Sequence, residues 1–201
     1  MELQNATIPS ILVDRIRGRA ALNMLLILGA SVLIAIAAQI AVPLPHSPVP
    51  LTMQPLAVLL VGVILGSRRA AAAAALYLLE GAGGLPVFAQ GHGGIFWLTF
   101  GATAGYLLSY PFAAFVAGWV SERGWGSTVL RSIAGMLAAL AVIYAGGWSW
   151  LAALTGTKAA FAMGIAPFLI ADVIKVALGA ALLPRAQRAV AELERRRLGG
   201  W

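Results

Sequence analysis

The chain has 201 residues, of which 61% are hydrophobic and only 10% are charged, with a net charge of +7 and no cysteine. Soluble domains carry about a quarter charged residues, so this chain has too few polar side chains to cover a surface in water. The absence of cysteine excludes disulfides, thiolate metal sites and cysteine nucleophiles. The composition therefore predicts an integral membrane protein.

The chain begins with a polar segment over residues 1–19, which ends in Arg15, Arg17 and Arg19. A signal peptide would instead have a short apolar core followed by a cleavage site of small residues. The apolar run that follows, residues 20–42, is long enough to span a bilayer. We therefore expect it to form a retained first helix.

Five further apolar stretches follow, and we expect each to be helical: 55–66, 70–80, 96–120, 128–146 and 159–183. The first two of these are too short to be assigned by length alone. They could form one broken span. Alternatively, they are two helices whose ends meet inside the protein, where irregular backbone is tolerated at membrane depth.

The positions of the arginines favour two separate helices. All twelve arginines lie in four clusters: in the segment over 1–19, at Arg68 and Arg69, at Arg123 and Arg131, and in the C-terminal tail. Six spans place all four clusters on one side of the membrane, as the positive-inside rule requires. Five spans would place Arg68 and Arg69 within a membrane segment.

These observations predict an all-α integral membrane protein with six transmembrane helices and both termini in the cytoplasm. The transmembrane domain is expected over residues 20–184, between basic cytoplasmic segments at 1–19 and 185–201. Because the basic residues are dispersed between apolar spans, they argue against nucleic-acid binding. The charged C-terminal stretch, residues 186–201, is suited instead to anchoring at anionic lipid headgroups.

Charged side chains at membrane depth indicate function by default, because they are costly to bury there. Asp172 and Lys175 lie three residues apart in the last apolar stretch, so a helix places them on one face. Two interpretations remain open: a structural ion pair, or a polar patch that faces a substrate pocket. Pro167, shortly before the pair, could open the backbone toward such a pocket.

Two loops are candidates for ligand contact. The first loop, residues 42–55, contains five prolines and is predicted to be stiff and non-helical. It is either a rigid lid, with Thr52 and Gln54 as hydrogen-bonding residues, or a tight connector. The third loop, residues 80–106, is rich in glycine. It forms either re-entrant turns and close helix packing or a set of backbone amides that orient a small ligand together with Tyr106.

Small residues recur at helical spacing, at Ala37 and Ala41 in the first helix and over residues 70–75 in the third. Such faces allow close helix contact, either within the chain or with another protein. We favour internal packing for the third helix. The only histidines, His46 and His92, are too few for a metal cluster, and no ATP-binding motif or Ser/His/Asp set is present. We therefore expect no catalytic residue, metal or cofactor, and a small membrane protein with an outward-facing pocket.

Four segments then resemble, in order and spacing, the BioY family, which comprises the biotin-binding S components of energy-coupling factor (ECF) vitamin transporters. The segments are AAQIAVPLP with VPLTMQ, GGLPVFAQGHGG, GATAGYLLSYPFA and APFLIADVIKVALGAALLP. The resemblance extends from about Ala20 to Pro184. The chain departs from the common Pro-Thr-Gly-Gly-Tyr of the family at residues 102–106, where it reads Ala-Thr-Ala-Gly-Tyr.

The resemblance implies a six-helix S-component fold with a biotin pocket near the outer face, closed by the first and third loops. It implies that Asp172 and Lys175 are polar binding residues. The other residues that it places around the ligand are Gln54, Gly84, Gln90 and Tyr106.

The resemblance also implies partners in the bacterial cytoplasmic membrane. A transmembrane coupling protein would contact Ala37 and Ala41, and two ABC-type ATPase subunits would supply the energy for biotin uptake. The alternatives are an autonomous facilitator for a small solute and an S component for a different vitamin.

Overall fold

The computed structural model describes residues 19–125 and 128–181, with side chains described from residue 20 onward. The predicted tail over 185–201 and nearly all of the predicted segment over 1–19 therefore lie outside the described residues. Most of the described chain is helical, as the composition predicts.

The elements follow one another along the chain with short connections. The helices are α1 (Arg19–Gln39), α2 (Gln54–Leu65), α3 (Ser67–Ala82), α4 (Phe96–Thr99), α5 (Ala104–Glu122), α6 (Val129–Thr155), α7 (Thr157–Gly164) and α8 (Leu169–Ala181). Two short strands within 40–53, β1 (Ala41–Val42) and β2 (Leu51–Thr52), pair in antiparallel fashion, with Ala41 opposite Thr52. A 3₁₀ helix, Ala89–Gly91, precedes α4.

Two of the six predicted apolar stretches are divided in the structure. The stretch predicted over 96–120 contains α4 and α5, and the stretch predicted over 159–183 contains α7 and α8. The axes of α7 and α8 differ by 48° across the break between them. Pro167 lies in this break, where its missing N–H and its ring prevent the helix from continuing. The expected opening of the backbone at Pro167 is therefore present.

The first helix is shorter than predicted. It ends at Gln39, and Ala41 lies in β1 because Val42 precedes Pro43 and a residue before proline disfavours the helical conformation. Ala37 remains in α1, but its side chain is buried in the core of the chain. The prediction that Ala37 and Ala41 lie on one face of one helix is therefore wrong.

Gly66 separates α2 from α3, so the second and third apolar stretches form two helices. Its φ of 82° lies in the left-handed region that glycine adopts readily. Gly118 of α5 packs directly against this turn, since a Cβ at Gly118 would lie 2.3 Å from the backbone N of Ser67. The Glu122 carboxylate accepts hydrogen bonds from the backbone N–H of Ser67, at 2.7 Å, and from its hydroxyl. The end of α5 is thereby fixed to the start of α3.

The core lies around α5, which packs against α2, α3 and α6. The alanine-rich α3 contributes Ala70, Ala73 and Ala74, which are fully buried, so the internal packing expected for this helix is confirmed. The small side chains let the backbones of neighbouring helices approach closely.

The outer surface of the helices is apolar. Large apolar side chains are exposed along α1, α5 and α8, among them Leu25, Ile36, Phe112, Ile170 and Ile174. Within the described residues, α1 from Ala20 and α6 are each long and apolar enough to cross a membrane, and the bent pair of α7 and α8 would provide a third crossing. An apolar surface of this extent belongs in lipid, and the chain is a membrane protein.

Candidate substrate-binding site

A cavity opens between α2, α5, α6, α8 and the first and third loops. Its volume, including the part that is open to solvent, is about 800 Å³. The residues that line it are Pro48, Val49, Pro50, Gln54, Pro55, Phe88, Ala89, Gln90, His92, Trp97, Thr103, Tyr106, Leu107, Tyr110, Ile143, Tyr144, Phe168 and Asp172. A mostly apolar cavity with a few convergent polar groups is typical of small-molecule sites.

Asp172 of α8 is the acidic residue of the cavity wall. The residue is 3% exposed, and its carboxylate accepts two hydrogen bonds, from Lys175 Nζ to Oδ1 and from the Tyr144 hydroxyl to Oδ2, both at 2.8 Å. Lys175 Nζ also donates to the backbone carbonyl of Thr52, at 2.7 Å. The ion pair is therefore satisfied within the chain, and it connects α8 to α6 and to the first loop.

Gln54, at the start of α2, is buried beside this cluster. Its Nε2 donates to the Tyr77 hydroxyl at 2.7 Å, and its Oε1 accepts a hydrogen bond from the Thr52 hydroxyl at 3.2 Å. The Tyr77 hydroxyl in turn donates to the Val87 carbonyl at 3.2 Å. Gln54 thus connects the end of the first loop to the third loop through the wall of the cavity.

The first loop covers part of the cavity with Pro48, Val49 and Pro50. The Ser47 hydroxyl fixes it in this position by donating to the Met163 carbonyl at the end of α7, at 2.7 Å. The first loop therefore lies over the cavity, as the lid interpretation requires, and its contact with a ligand stays a prediction.

The third loop places a tight turn over residues 88–92 beside the cavity. Phe88 and His92 pair across the turn, and Gln90 within it has a φ of 62°, a left-handed conformation that is costly for a residue with a Cβ. Gln39, the last residue of α1, binds both ends of the turn. Its Nε2 donates to the Phe88 carbonyl at 3.1 Å, and its Oε1 accepts from the Gly91 N–H at 3.1 Å.

Tyr106 forms part of the wall from α5. Its hydroxyl donates to the Gly164 carbonyl at 2.7 Å. The ring packs tightly against Gly147 of α6, where a Cβ would lie 2.1 Å from a ring carbon. Tyr106 therefore joins α5, α6 and α7 on one side of the cavity.

The structure brings together four of the six residues predicted around the ligand: Gln54, Gln90, Tyr106 and Asp172 line the cavity. Lys175 is not a lining residue and reaches the cavity only through Asp172. Gly84 is also outside the lining and forms a left-handed turn after α3, with a φ of 98°.

Sequence reasoning missed most of the aromatic wall. The lining residues that it did not predict include Phe88, Trp97, Tyr110, Tyr144 and Phe168, and the His92 ring stacks on Trp97 at a centroid distance of 3.8 Å. One of them had a usable signal, because Tyr110 follows Tyr106 by four residues and shares its face of α5.

Comparisons with known proteins agree with one another. The profile of the BioY family matches residues 10–192. A probable biotin transporter BioY of Pyrococcus horikoshii is 39% identical over 156 residues, which are 77% of this chain and 90% of the relative. The biotin transporter BioY of Rhizobium etli is 41% identical over 167 residues, 78% of this chain and 87% of the relative.

The fold has also been solved before. The crystal structure of the S-component for biotin from an ECF-type ABC transporter superposes with a TM-score of 0.74 at 20% sequence identity. The superposition covers 86% of this chain and 94% of that one, so the two chains share their fold. By its sequence profile and its relatives, the chain belongs to the BioY family.

Proposed function

We propose that the chain binds biotin and mediates its uptake across the cytoplasmic membrane, as a transport subunit rather than an enzyme. The observation that supports this most is the cavity, which combines an aromatic wall with the buried Asp172 carboxylate in a family whose relatives are named biotin transporters.

The chemistry of biotin complements this cavity. Biotin has a ureido group with two N–H donors and a carbonyl, an apolar bicycle and a carboxylate tail. The two Asp172 oxygens accept one hydrogen bond each within the chain, and a carboxylate has about four acceptor positions, so it retains capacity for ligand N–H groups. The aromatic rings provide apolar contacts for the bicycle.

Among the predicted site residues, we propose direct ligand contact for Asp172, Gln54, Gln90 and Tyr106. Lys175 acts through its hydrogen bonds to Asp172 and to the first loop, and Gly84 through the course of the third loop. The division between direct and indirect roles follows from which residues line the cavity.

Binding is tested by titrating the purified full chain in detergent micelles with biotin. We expect a dissociation constant in the nanomolar range. If another vitamin binds and biotin does not, the substrate assignment is wrong while the S-component assignment stands.

We further propose that six spans cross the membrane over residues 20–184, and that the basic segments over 1–19 and 185–201 are cytoplasmic. Because the chain has no cysteine, each introduced cysteine is the only one. We expect His46→Cys, in the exposed part of the first loop, to react with an impermeant maleimide on intact cells. Arg123→Cys, exposed after α5, should react only after the cells are opened. The reverse result would overturn the proposed orientation.

The energy for uptake is proposed to come from a transmembrane coupling protein and two ABC-type ATPase subunits. Biotin uptake should then require these partners in a host that lacks its own biotin transporter. Uptake by this chain alone, without ATP hydrolysis, would favour the autonomous facilitator instead.

A further inference from the structure

Four polar side chains of the cavity wall, those of Gln54, Tyr106, Tyr144 and Asp172, are already hydrogen-bonded within the chain. Asp172 is bonded to Lys175 and Tyr144, Gln54 to Tyr77, and the Tyr106 hydroxyl to the Gly164 carbonyl. These groups can bind a ligand only by adding a bond to an existing one or by exchanging a partner.

Tyr110 differs from them. It lies in the middle of α5, is 4% exposed and lines the cavity. Its hydroxyl forms no hydrogen bond with any residue in the described ranges, 19–125 and 128–181. In the same ranges, every side-chain nitrogen or oxygen that is fully enclosed has a partner. The Tyr110 hydroxyl is therefore not enclosed by protein, and the cavity is the space that it reaches.

Because no group of the described chain is bonded to this hydroxyl, it can donate to a ligand in the cavity without giving up an existing bond. Replacing tyrosine by phenylalanine removes the hydroxyl while keeping the ring. A tyrosine hydroxyl is a strong donor to carbonyl and carboxylate oxygens.

We propose that the Tyr110 hydroxyl donates a hydrogen bond to a carbonyl-type oxygen of the ligand and thereby contributes to its recognition. This inference rests on the proposed function, since biotin has two such groups, the ureido carbonyl and the carboxylate. It adds a donor to a wall whose charged residue, Asp172, can only accept when ionised.

The test is Tyr110→Phe in the full chain, measured by biotin titration and by the melting temperature of the ligand-free protein. We expect biotin to bind at least tenfold more weakly, which corresponds to about 1.4 kcal/mol. The ligand-free melting temperature should be unchanged or higher, because no hydrogen bond within the chain is lost. A merely structural role for Tyr110 would give the opposite pattern.

Tyr77→Phe is the matched control. Tyr77 is fully buried, and its hydroxyl is bonded to Gln54 and to the Val87 carbonyl, so this variant should lower the melting temperature of the ligand-free protein. Titration with a biotin analogue whose carboxyl group is replaced by a methyl group locates the ligand oxygen. A penalty from Tyr110→Phe that persists with this analogue indicates the ureido carbonyl, and a penalty that disappears indicates the carboxylate.

Two negative results are distinguishable. If the wild-type chain binds biotin and folded Tyr110→Phe binds it within twofold of wild type, the role of Tyr110 is refuted and the proposed function stands. If the wild-type chain does not bind biotin, the proposed function is wrong and the inference falls with it.

Discussion

Replacing Lys175 with methionine keeps the length and the apolar stem of the side chain but removes its ammonium group. Two hydrogen bonds are lost, one to the Thr52 carbonyl and one to Asp172 Oδ1. Asp172 keeps only its bond from Tyr144, although its side chain is just 4% exposed. Removing one partner of a buried ion pair costs about 3–5 kcal/mol, since the remaining charge is left uncompensated. We expect a loss of stability of this size for Lys175→Met.

The assay is thermal unfolding of the purified protein in detergent, followed by the fluorescence of its six tryptophans. For a chain of this length, a loss of 3–5 kcal/mol corresponds to a decrease in melting temperature of roughly 10 °C. Lys158→Met is the matched control, because Lys158 is exposed and such substitutions change stability by less than about 0.5 kcal/mol.

The double variant Asp172→Asn with Lys175→Met identifies the cause. Because asparagine carries no charge, the double variant should be more stable than Lys175→Met alone. Two results would show that the uncompensated charge does not determine stability here. One is a double variant that is no more stable than Lys175→Met, and the other is Lys175→Met with the melting temperature of the wild type. Biotin titration is a separate measurement, in which Asp172→Asn should bind at least tenfold more weakly, a loss of about 1.4 kcal/mol or more.

Two further changes test how the cavity is held together. Gln39→Leu removes the bonds that hold the turn over residues 88–92 and should weaken biotin binding about tenfold, for two bonds of about 0.5–1.5 kcal/mol each. In a Gln90→Gly background the same change should weaken binding less, because glycine adopts the left-handed conformation without support. Equal losses of affinity in both backgrounds would show that Gln39 does not hold the turn. Gly118→Val places a Cβ about 2.3 Å from Ser67 N and should abolish monodisperse protein in size-exclusion chromatography. Gly29→Val is the control, because a Cβ at this position of α1 meets nothing within 4 Å, and this variant should elute like the wild type. If Gly118→Val also elutes like the wild type, α5 does not pack closely against the Gly66 turn.

Local sequence signals identified the helices and one face of the site. The six apolar stretches each contain helix, the break at Gly66 was indicated by the adjacent arginines, and the spacing of Asp172 and Lys175 placed both on one face of α8. These features depend on neighbours in the sequence, so composition and periodicity were sufficient to predict them.

The remaining features depend on distant partners. The Tyr144 hydroxyl is hydrogen-bonded to Asp172, which is 28 residues away in sequence, and Lys175 is hydrogen-bonded to the Thr52 carbonyl, which is 123 residues away. A backbone carbonyl has the same chemistry at every residue, so no residue type marks it as a partner. The same reason explains why Tyr106 was predicted as a ligand contact while its bond to the Gly164 carbonyl was not. Pro43 indicated that α1 would end early, at Gln39. The apolar run continues to Val42, and the helix was therefore predicted to extend that far.

The break between α7 and α8 has a consequence for how the first loop is attached. In an uninterrupted helix, the Met163 carbonyl would accept the N–H of residue 167, but proline has none. The acceptor left vacant is the one that the Ser47 hydroxyl uses, 116 residues away in sequence. Alanine at this position would supply a competing donor from within the helix. Pro167 thus influences the first loop, because it keeps an anchoring point available for the segment that covers the cavity.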